Sequence, residues 1–261
     1  MKTIPTYPTG HKLLEGKTVL VTAAAGTGIG YATARRCAEE GAAALMISDI
    51  HERRLGEAAE RLAAETGVTP KTVLCNVTKE AEVQAMFDAA IREMGHVDVL
   101  MNNAGLGGYA KLVDMTDEQW SVVLDVTLNG CFRCMRAALK HMVPRGTGAI
   151  VNNASVLGWR AQEGQAHYAA AKAGVMALTR CAAVEAAEQS SVRINAVAPS
   201  LALHPFLEKV TPPGLLAELE KAEAFGRGAQ PWEVANVMIF LASDYASYMT
   251  GEILSVSSQR A

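Results

Sequence analysis

A tyrosine and a lysine stand four residues apart in the run AHYAAAKAG, residues 166 to 174, and Ser155 precedes that tyrosine by thirteen positions. Alanine is the strongest helix former, so the run predicts a helix, and i,i+4 spacing sets Tyr168 and Lys172 on one face. A free phenol keeps its proton up to about pH 10. An adjacent ammonium favours the phenolate by charge attraction. Tyr168 is thereby suited to take a proton from an alcohol near neutrality, or to return one to an alkoxide. Ser155, just past a strand-like run, suits a hydrogen bond to the oxygen on which charge develops. Proton management at a carbon–oxygen bond is the chemistry these residue types favour together.

Such side chains need a frame, and the chain supplies alternating elements. TVLVT (18–22) is β-rich and leads through a glycine-rich turn into a helix closed by Gly41. ALMISD, TVLCNV, VDVLMNNAG, GAIVNNAS and VRINAVAPS read as further strands, with helical runs such as ERRLGEAAERLAAET and EAEVQAMFDAAIREMG between them. Strands apolar on both faces and separated by helices predict an α/β fold, a doubly wound parallel sheet of about seven strands in a single domain over residues 1–261. LDVTLNGCFRCMRAALKHM reads as one long helix. That makes Cys131 and Cys134 buried thiols, since no second ligand pair is spaced to complete a zinc site; no metal is expected.

Half the residues are hydrophobic and the net charge is −3, which lacks the basic footprint of a nucleic-acid binder. The opening MKTIPTYPTGHKLLEGK has no uninterrupted apolar core of a signal peptide, and no apolar run reaches membrane-spanning length. Five cysteines, an odd number, fit a reducing compartment, so a cytoplasmic protein is expected.

TAAAGTGIG places Gly26, Gly28 and Gly30, with Thr27 and Ile29 between them, where a strand turns into a helix. Glycines permit a tight turn and close backbone approach, and the free N–H groups of a helix start attract a pyrophosphate. Asp49 ends the second strand about 20 residues later, where a carboxylate accepts hydrogen bonds from an adenosine ribose. It would also serve as a helix N-cap. A carboxylate there repels a 2′-phosphate, favouring NAD over NADP, while Arg53 and Arg54 nearby keep NADP open.

GTGIG, NNAG (102–105) and the serine–tyrosine–lysine spacing together resemble the short-chain dehydrogenase/reductase family. The resemblance runs from about residue 14 to 257 and includes the closing GRGAQPWEVANVMIFLASDYASYMTG. It implies a Rossmann-type fold and hydride transfer between a nicotinamide cofactor and a secondary alcohol or ketone. Ser155, Tyr168 and Lys172 would be catalytic, with Lys172 also binding the nicotinamide ribose. The cofactor would lie along Gly26 to Gly30, Asp49, Asn76, Val77, Asn103, Ala104, Gly105 and Ala202. Several positions depart from the family pattern. Thr127 stands where the family has an asparagine that completes a water relay to the lysine; either its hydroxyl helps hold that water or the relay is altered. Asn129 sits about 200° further around the helix and cannot simply substitute. Ala24 replaces the first glycine, Asn76 an aspartate, Ser200 a glycine and His204 a threonine that meets the cofactor, while SSQRA replaces the family's terminal D-G-G.

By the same resemblance, the segments after NNAG, Ser155 and VAPS surround the substrate. Leu106, Tyr109, Leu157, Trp159, Leu203, Phe206 and Leu207 would offer an apolar pocket, with residues 200–228 as a lid and His204 beside it. Arg160, Lys209 and Lys221 would meet an anionic handle at its mouth. The alternative is that the apolar residues only seat the lid and the basic ones face solvent. TAAAGTGIG, NNASVLGWRAQ, HYAAAKAGVMALTRC and SSQRA are similar to a group of actinobacterial short-chain dehydrogenases linked to steroid breakdown, which act on the CoA thioester of a bicyclic ring remnant. Two other readings stay open: a 3-oxoacyl-thioester reductase, and a dinucleotide-binding sensor or scaffold without turnover. The resemblance also implies pairing through helices at about 117–143 and 166–188, giving a homotetramer or a dimer. Residues 1–13 form an N-terminal extension.

Overall fold

Seven short strands form one parallel sheet in the computed structural model, which describes residues 3–204, 207 and 214–258. The strands are β1 (Thr18–Thr22), β2 (Ala44–Asp49), β3 (Lys71–Leu74), β4 (Val99–Asn102), β5 (Ala149–Asn153), β6 (Arg193–Pro199) and β7 (Ile253–Val256). Their spatial order is β3-β2-β1-β4-β5-β6-β7, and every neighbouring pair is parallel. The expected α/β doubly wound architecture is what the chain adopts.

Alternate strand residues point to opposite faces, and two cores result. Leu20, Met46, Leu100 and Ile150 pack on one face with Phe87, Met135 and Met176. These come from helices α3 (Glu80–Met94), α5 (Gly130–Arg145) and α6 (Ala166–Ala187). On the other face Val19, Val21, Ile47 and Met101 meet Ala34, Leu62 and Met238. Those residues belong to α1 (Ile29–Glu39), α2 (Glu52–Thr66) and α8 (Pro231–Ala242); α4 (Asp117–Leu124) and α7 (Leu215–Ala222) complete the set. Cys75, Cys131 and Cys134 are buried free thiols of the first core, and burial raises Cys131 and Cys75 to about 12.

The long helix expected from LDVTLNGCFRCMRAALKHM is continuous but not uniform. Between α4 and α5, Asp125–Asn129 forms a π turn, in which the Gly130 N–H reaches back five residues to the Asp125 carbonyl. Gly130 is forced by packing: a Cβ there would stand 2.7 Å from Val77 Cγ2.

The N-terminal segment is tied to α1. His11 and Leu13 N–H donate to Glu40, whose carboxylate forms a buried pair with Arg36, and the Tyr7 ring meets Trp232 edge-on at 5.3 Å. No helix among the described residues is long and apolar enough to cross a membrane. The sheet reverses its winding between β1 and β4, and at that switch the carboxyl ends of the strands part to leave a crevice.

Candidate active site

The crevice is braced by asparagines at the ends of β4 and β5. Asn102 and Asn152 face each other in register, and Asn102 Nδ2 donates to Asn152 Oδ1 at 3.0 Å. One residue later Asn153 Nδ2 donates to Asn103 Oδ1 at 2.9 Å. Asn103 Nδ2 in turn donates to the Thr22 and Ala23 carbonyls, and Thr22 Oγ1 accepts the N–H groups of Asn103 and Ala104. This lattice locks NNAG to the end of β1. Asn153 Oδ1 is left buried without a partner at the crevice edge.

The glycine-rich turn follows directly. Ala23 takes φ 53°, a left-handed value that turns the chain sharply. Gly28 caps α1 with no side-chain hydrogen bond and no acidic residue in the first turn, so the helix start keeps its positive end and its N–H donors for a ligand. Gly30 has no room for a side chain: its Cβ would lie 2.2 Å from the Ala23 carbonyl oxygen and 2.5 Å from Asn103 Nδ2. The His204 ring covers the open side of Gly28, 3.6 Å from where a Cβ would stand, and its Nδ1 accepts the Leu207 N–H at 3.3 Å. Gly26 presents its carbonyl to Arg61 Nη2 at 3.0 Å, and the Arg61 guanidinium rests 3.7 Å above the Tyr31 ring.

Asp49, at the end of β2, accepts the Ala25 and His51 N–H groups at 3.1 Å each. His51 is itself the N-cap of α2, so the carboxylate braces the glycine-rich turn and the helix entry together. Burial raises its carboxyl above the ordinary range, against the Ala25 N–H and the Arg54 charge. Asn76 closes a local turn by accepting from the Thr78 N–H and hydroxyl. Val77 packs on Gly130. A turn that excludes side chains at Gly30, a bare helix start and a carboxylate at the end of β2 fit a dinucleotide.

Tyr168 and Lys172 come from the first turns of α6, whose alanines leave the pair unobstructed. Lys172 Nζ lies 5.4 Å from the Tyr168 ring centroid and donates to the Asn153 carbonyl; only 3% of the residue is exposed. Ser155 leaves β5 in extended conformation, accepts the Leu157 N–H at 3.2 Å and reaches the Pro199 carbonyl at 3.5 Å. Thr127 lies in the π turn, buried, with its hydroxyl accepting the Leu106 N–H at 2.9 Å and donating to the Leu106 carbonyl at 3.0 Å. Asn129 is turned outward, bonded to Asp125.

A cavity of about 460 Å³ gathers Ser155, Tyr168 and Lys172 with Gly28, Ile29, Gly30, Asn103 and Gly105. Leu106, Tyr109, Leu157, Ala202, His204 and Leu207 also line it, as do Leu215 and Leu219 from α7. Gly26 and Thr27 in the turn after β1, Asp49 at the end of β2, Asn76 and Val77 after β3 and Ala104 after β4 do not line it. Three expected pocket residues do not line it. Trp159 is half exposed, Arg160 stands next to it, and Leu203 is turned onto Gly228. Lys221 is exposed on α7, while Phe206 and Lys209 lie outside the described residues. The tail that replaces the family's glycines has a partner: Ser258 Oγ donates to the buried Glu223 at the end of α7 at 2.8 Å.

Sequence reading passed over Asn153 and Arg61. The repeated NNA at two strand ends was the available signal for Asn153. Arg61 is separated from Gly26 by a whole βα unit, and only the fold brings them together.

Comparison with known proteins bears on what this crevice does. The family model described as enoyl-(acyl carrier protein) reductase matches residues 23–258. The chain is 61% identical to a (5R,7aS)-5-hydroxy-7a-methyl-1-oxo-2,3,5,6,7,7a-hexahydro-1H-indene-carboxyl-CoA reductase of Mycobacterium tuberculosis, over 96% of this chain and 95% of that protein. It is 38% identical to a 3-oxoacyl-[acyl-carrier-protein] reductase of Thermotoga maritima, covering 93% and 97%. Among solved structures, a short chain dehydrogenase from Mycobacterium smegmatis superposes with a TM-score of 0.87 at 56% identity, covering 99% of each chain.

Proposed function

The chain belongs to the short-chain dehydrogenase/reductase family, and from that premise we propose that it moves hydride between NAD and a ring hydroxyl or ketone of a bicyclic, CoA-linked acid. The observation that carries the substrate class is the 61% identity, over nearly the whole of both chains, to the hexahydroindene-carboxyl-CoA reductase. The cavity suits such a substrate: Leu106, Leu157, Leu207, Leu215 and Leu219 offer apolar walls opposite the hydroxyl-bearing side chains.

A bound nicotinamide supplies the hydride acceptor in oxidation and the hydride donor in reduction. Tyr168 takes the hydroxyl proton during oxidation and returns one to the carbonyl oxygen during reduction. Ser155 holds that same oxygen by a hydrogen bond as its charge grows. Lys172, fixed by the Asn153 carbonyl 5.4 Å from the Tyr168 ring, sets its ammonium beside the phenol and would hold the nicotinamide ribose hydroxyls. Gly28 to Gly30 offer backbone N–H groups to the pyrophosphate, and Asp49 accepts the adenosine ribose hydroxyls. Asn76, Val77, Ala104 and Ala202 border the cofactor elsewhere. NAD is preferred because the Asp49 carboxylate repels a 2′-phosphate and two neighbouring cations are engaged, Arg61 on Gly26 and Tyr31 and Arg53 on Glu57. Arg54, whose charge acts on Asp49, is the cation that would admit NADP. The described part of the expected lid, residues 200–204, 207 and 214–228, contributes Ala202, His204, Leu207, Leu215 and Leu219 to the cavity wall, and residues 205, 206 and 208–213 lie outside the described residues.

The thioester reductase of Thermotoga maritima favours a second substrate, a 3-oxoacyl thioester, on the same machinery. Assembly as a homotetramer through α4, α5 and α6 would cover the exposed Trp120, Val122, Phe132 and Val184. The buried free thiols suit the cytoplasm.

Reduced-nicotinamide absorbance tests the reading, with NAD and NADP against a bicyclic hydroxy-indanone acyl-CoA, a 3-hydroxyacyl-CoA and simple secondary alcohols. The expected result is NAD-linked turnover, fastest on the bicyclic thioester and lost in Tyr168→Phe with dinucleotide binding retained. Equal turnover by Tyr168→Phe would remove the tyrosine from the chemistry. Fastest turnover on the linear thioester would transfer the assignment to the second substrate.

A further inference from the structure

The segment ahead of β1 and the glycine-rich turn lie at opposite ends of α1, and one stripe of side chains joins them. Tyr31, Arg35 and Glu39 follow at i, i+4 and i+8 on one face of that helix, and Arg61 and Glu65 stand four apart on α2. At the N-terminal end, the Tyr7 hydroxyl donates to Glu39 Oε2 at 2.6 Å. Arg36 Nη1 donates to the same oxygen at 2.8 Å and to the Pro8 carbonyl at 3.1 Å. Arg35 then bridges the two helices, with Nε on Glu39 Oε1 at 2.9 Å and Nη1 3.3 Å from Glu65 Oε2. Glu65 Oε2 also accepts the Tyr31 hydroxyl at 2.9 Å, and the Arg61 guanidinium lies over the Tyr31 ring. The last link is Arg61 Nη2, which donates to the Gly26 carbonyl at 3.0 Å.

That last bond aims a donor. A trans peptide is planar, so the carbonyl of one residue and the N–H of the next point in opposite directions. With the Gly26 carbonyl held by Arg61, the N–H of the exposed Thr27 is turned the other way, away from Arg61. Packing does not fix this peptide by itself, since a Cβ on Gly26 would meet nothing nearer than the Gly28 nitrogen at 3.9 Å. The far end of the stripe is firm. Gly10 has no room for a side chain, because its Cβ would lie 2.1 Å from the Glu39 carbonyl oxygen, and the His11 and Leu13 N–H groups are bonded to Glu40.

We infer that Arg61 is a positioning residue for the dinucleotide turn, held in place from the segment ahead of β1 through Tyr7, Glu39, Arg35, Glu65 and Tyr31. A segment remote from the reaction centre thereby acts on cofactor affinity. The binding consequence rests on the dinucleotide reading of the crevice; the coupling between Tyr7 and Arg61 does not. Arg61→Met keeps the length of the side chain and removes both its hydrogen bond to Gly26 and its charge over Tyr31, while Arg61→Lys keeps a donor and a charge.

NADH fluorescence titration and steady-state kinetics of the intact protein decide it. Arg61→Met is expected to raise the NADH Kd and the KM for NAD about tenfold, with kcat at saturating NAD within about twofold, and Arg61→Lys to recover most of the loss. Tyr7→Ala is expected to raise the NADH Kd about threefold in the wild-type background and to leave it unchanged beside Arg61→Met, where the last link is already cut. An NADH affinity of Arg61→Met within about twofold of wild type, or a fall in kcat with NAD affinity retained, would overturn the inference. A Tyr7→Ala effect of equal size in both backgrounds would overturn it as well, because the segment would then act by another route. If the wild-type protein binds no dinucleotide, that reading fails by itself. The Tm shifts of Tyr7→Ala and Arg61→Met then decide the network: non-additive shifts support it and additive shifts overturn it.

Discussion

Gly30→Ala tests whether the glycine-rich turn is built as tightly as its geometry indicates. The added methyl carbon would lie 2.2 Å from the Ala23 carbonyl oxygen and 2.5 Å from Asn103 Nδ2. Neither obstacle swings away easily. The carbonyl belongs to a backbone already in a left-handed conformation, and the amide is held by the Thr22 and Ala23 carbonyls and by Asn153. Relief requires α1 to move outward by about 1 Å, and overpacking of this kind costs about 1–3 kcal/mol. For a protein of this size that lowers Tm by roughly 3–10 °C. The same shift misplaces the N–H groups at the start of α1, so NADH affinity falls about tenfold or more. Gly26→Ala is the control, since its Cβ would meet nothing nearer than the Gly28 nitrogen at 3.9 Å, and its Tm should be unchanged. Thermal unfolding and NADH fluorescence titration read both effects. A Gly30→Ala protein that melts with Gly26→Ala and the wild type would refute the packing argument.

Asp49→Ala should weaken NAD binding about tenfold and narrow its advantage over NADP, because the ribose acceptor and the charge that repels a 2′-phosphate go together; an unchanged affinity ratio in paired titrations would count against that assignment. Asp98 ties β1 to β4, accepting from the Thr18 N–H and hydroxyl and pairing with Arg145 and His96. Burial pushes its carboxyl up, but the Thr18 N–H and the Arg145 charge outweigh this and hold it below the ordinary carboxylate range. A lowered folded-state value means stabilisation that is present above the unfolded value and lost as pH falls through the folded one. Asp98→Asn should therefore cost about 1–2 kcal/mol at neutral pH in denaturant unfolding, with the gap to wild type closing below about pH 4. A gap independent of pH would show that packing, not charge, is what Asp98 supplies.

The frame was legible because it rests on local signals. Apolar runs such as TVLVT and ALMISD, each followed by a helical run, leave few arrangements other than a parallel sheet, and β7 was the short strand that the runs named one by one did not include. Ser155, Tyr168 and Lys172 were legible by spacing, and the structure gathers them around one cavity. Thr127 and Asn129 do face different ways, the first buried and the second outside, although the turn that separates them is not α-helical. The π turn was not legible, since one extra residue in a helix leaves no mark in composition or period. The pocket wall was legible only in part. Trp159 and Leu203 are apolar and near the right segments, but the 3-10 turn after Ser155 leaves Trp159 half exposed, and Gly228 accepts Leu203 away from the cavity. Ser258 and Glu223 are 35 residues apart, and only the closing of the sheet with β7 brings the tail beneath α7.

The wide turn between α4 and α5 also has a geometric consequence. Successive residues of a helix are rotated by about 100°, so inserting or deleting one residue re-aims everything on one side of the change relative to the other. A π turn absorbs that rotation locally and leaves both flanking helices packed as before. In this chain the wide turn sends Thr127 inward to Leu106 and Asn129 outward to Asp125, so the group that faces the reaction centre from this helix is chosen by where the turn falls.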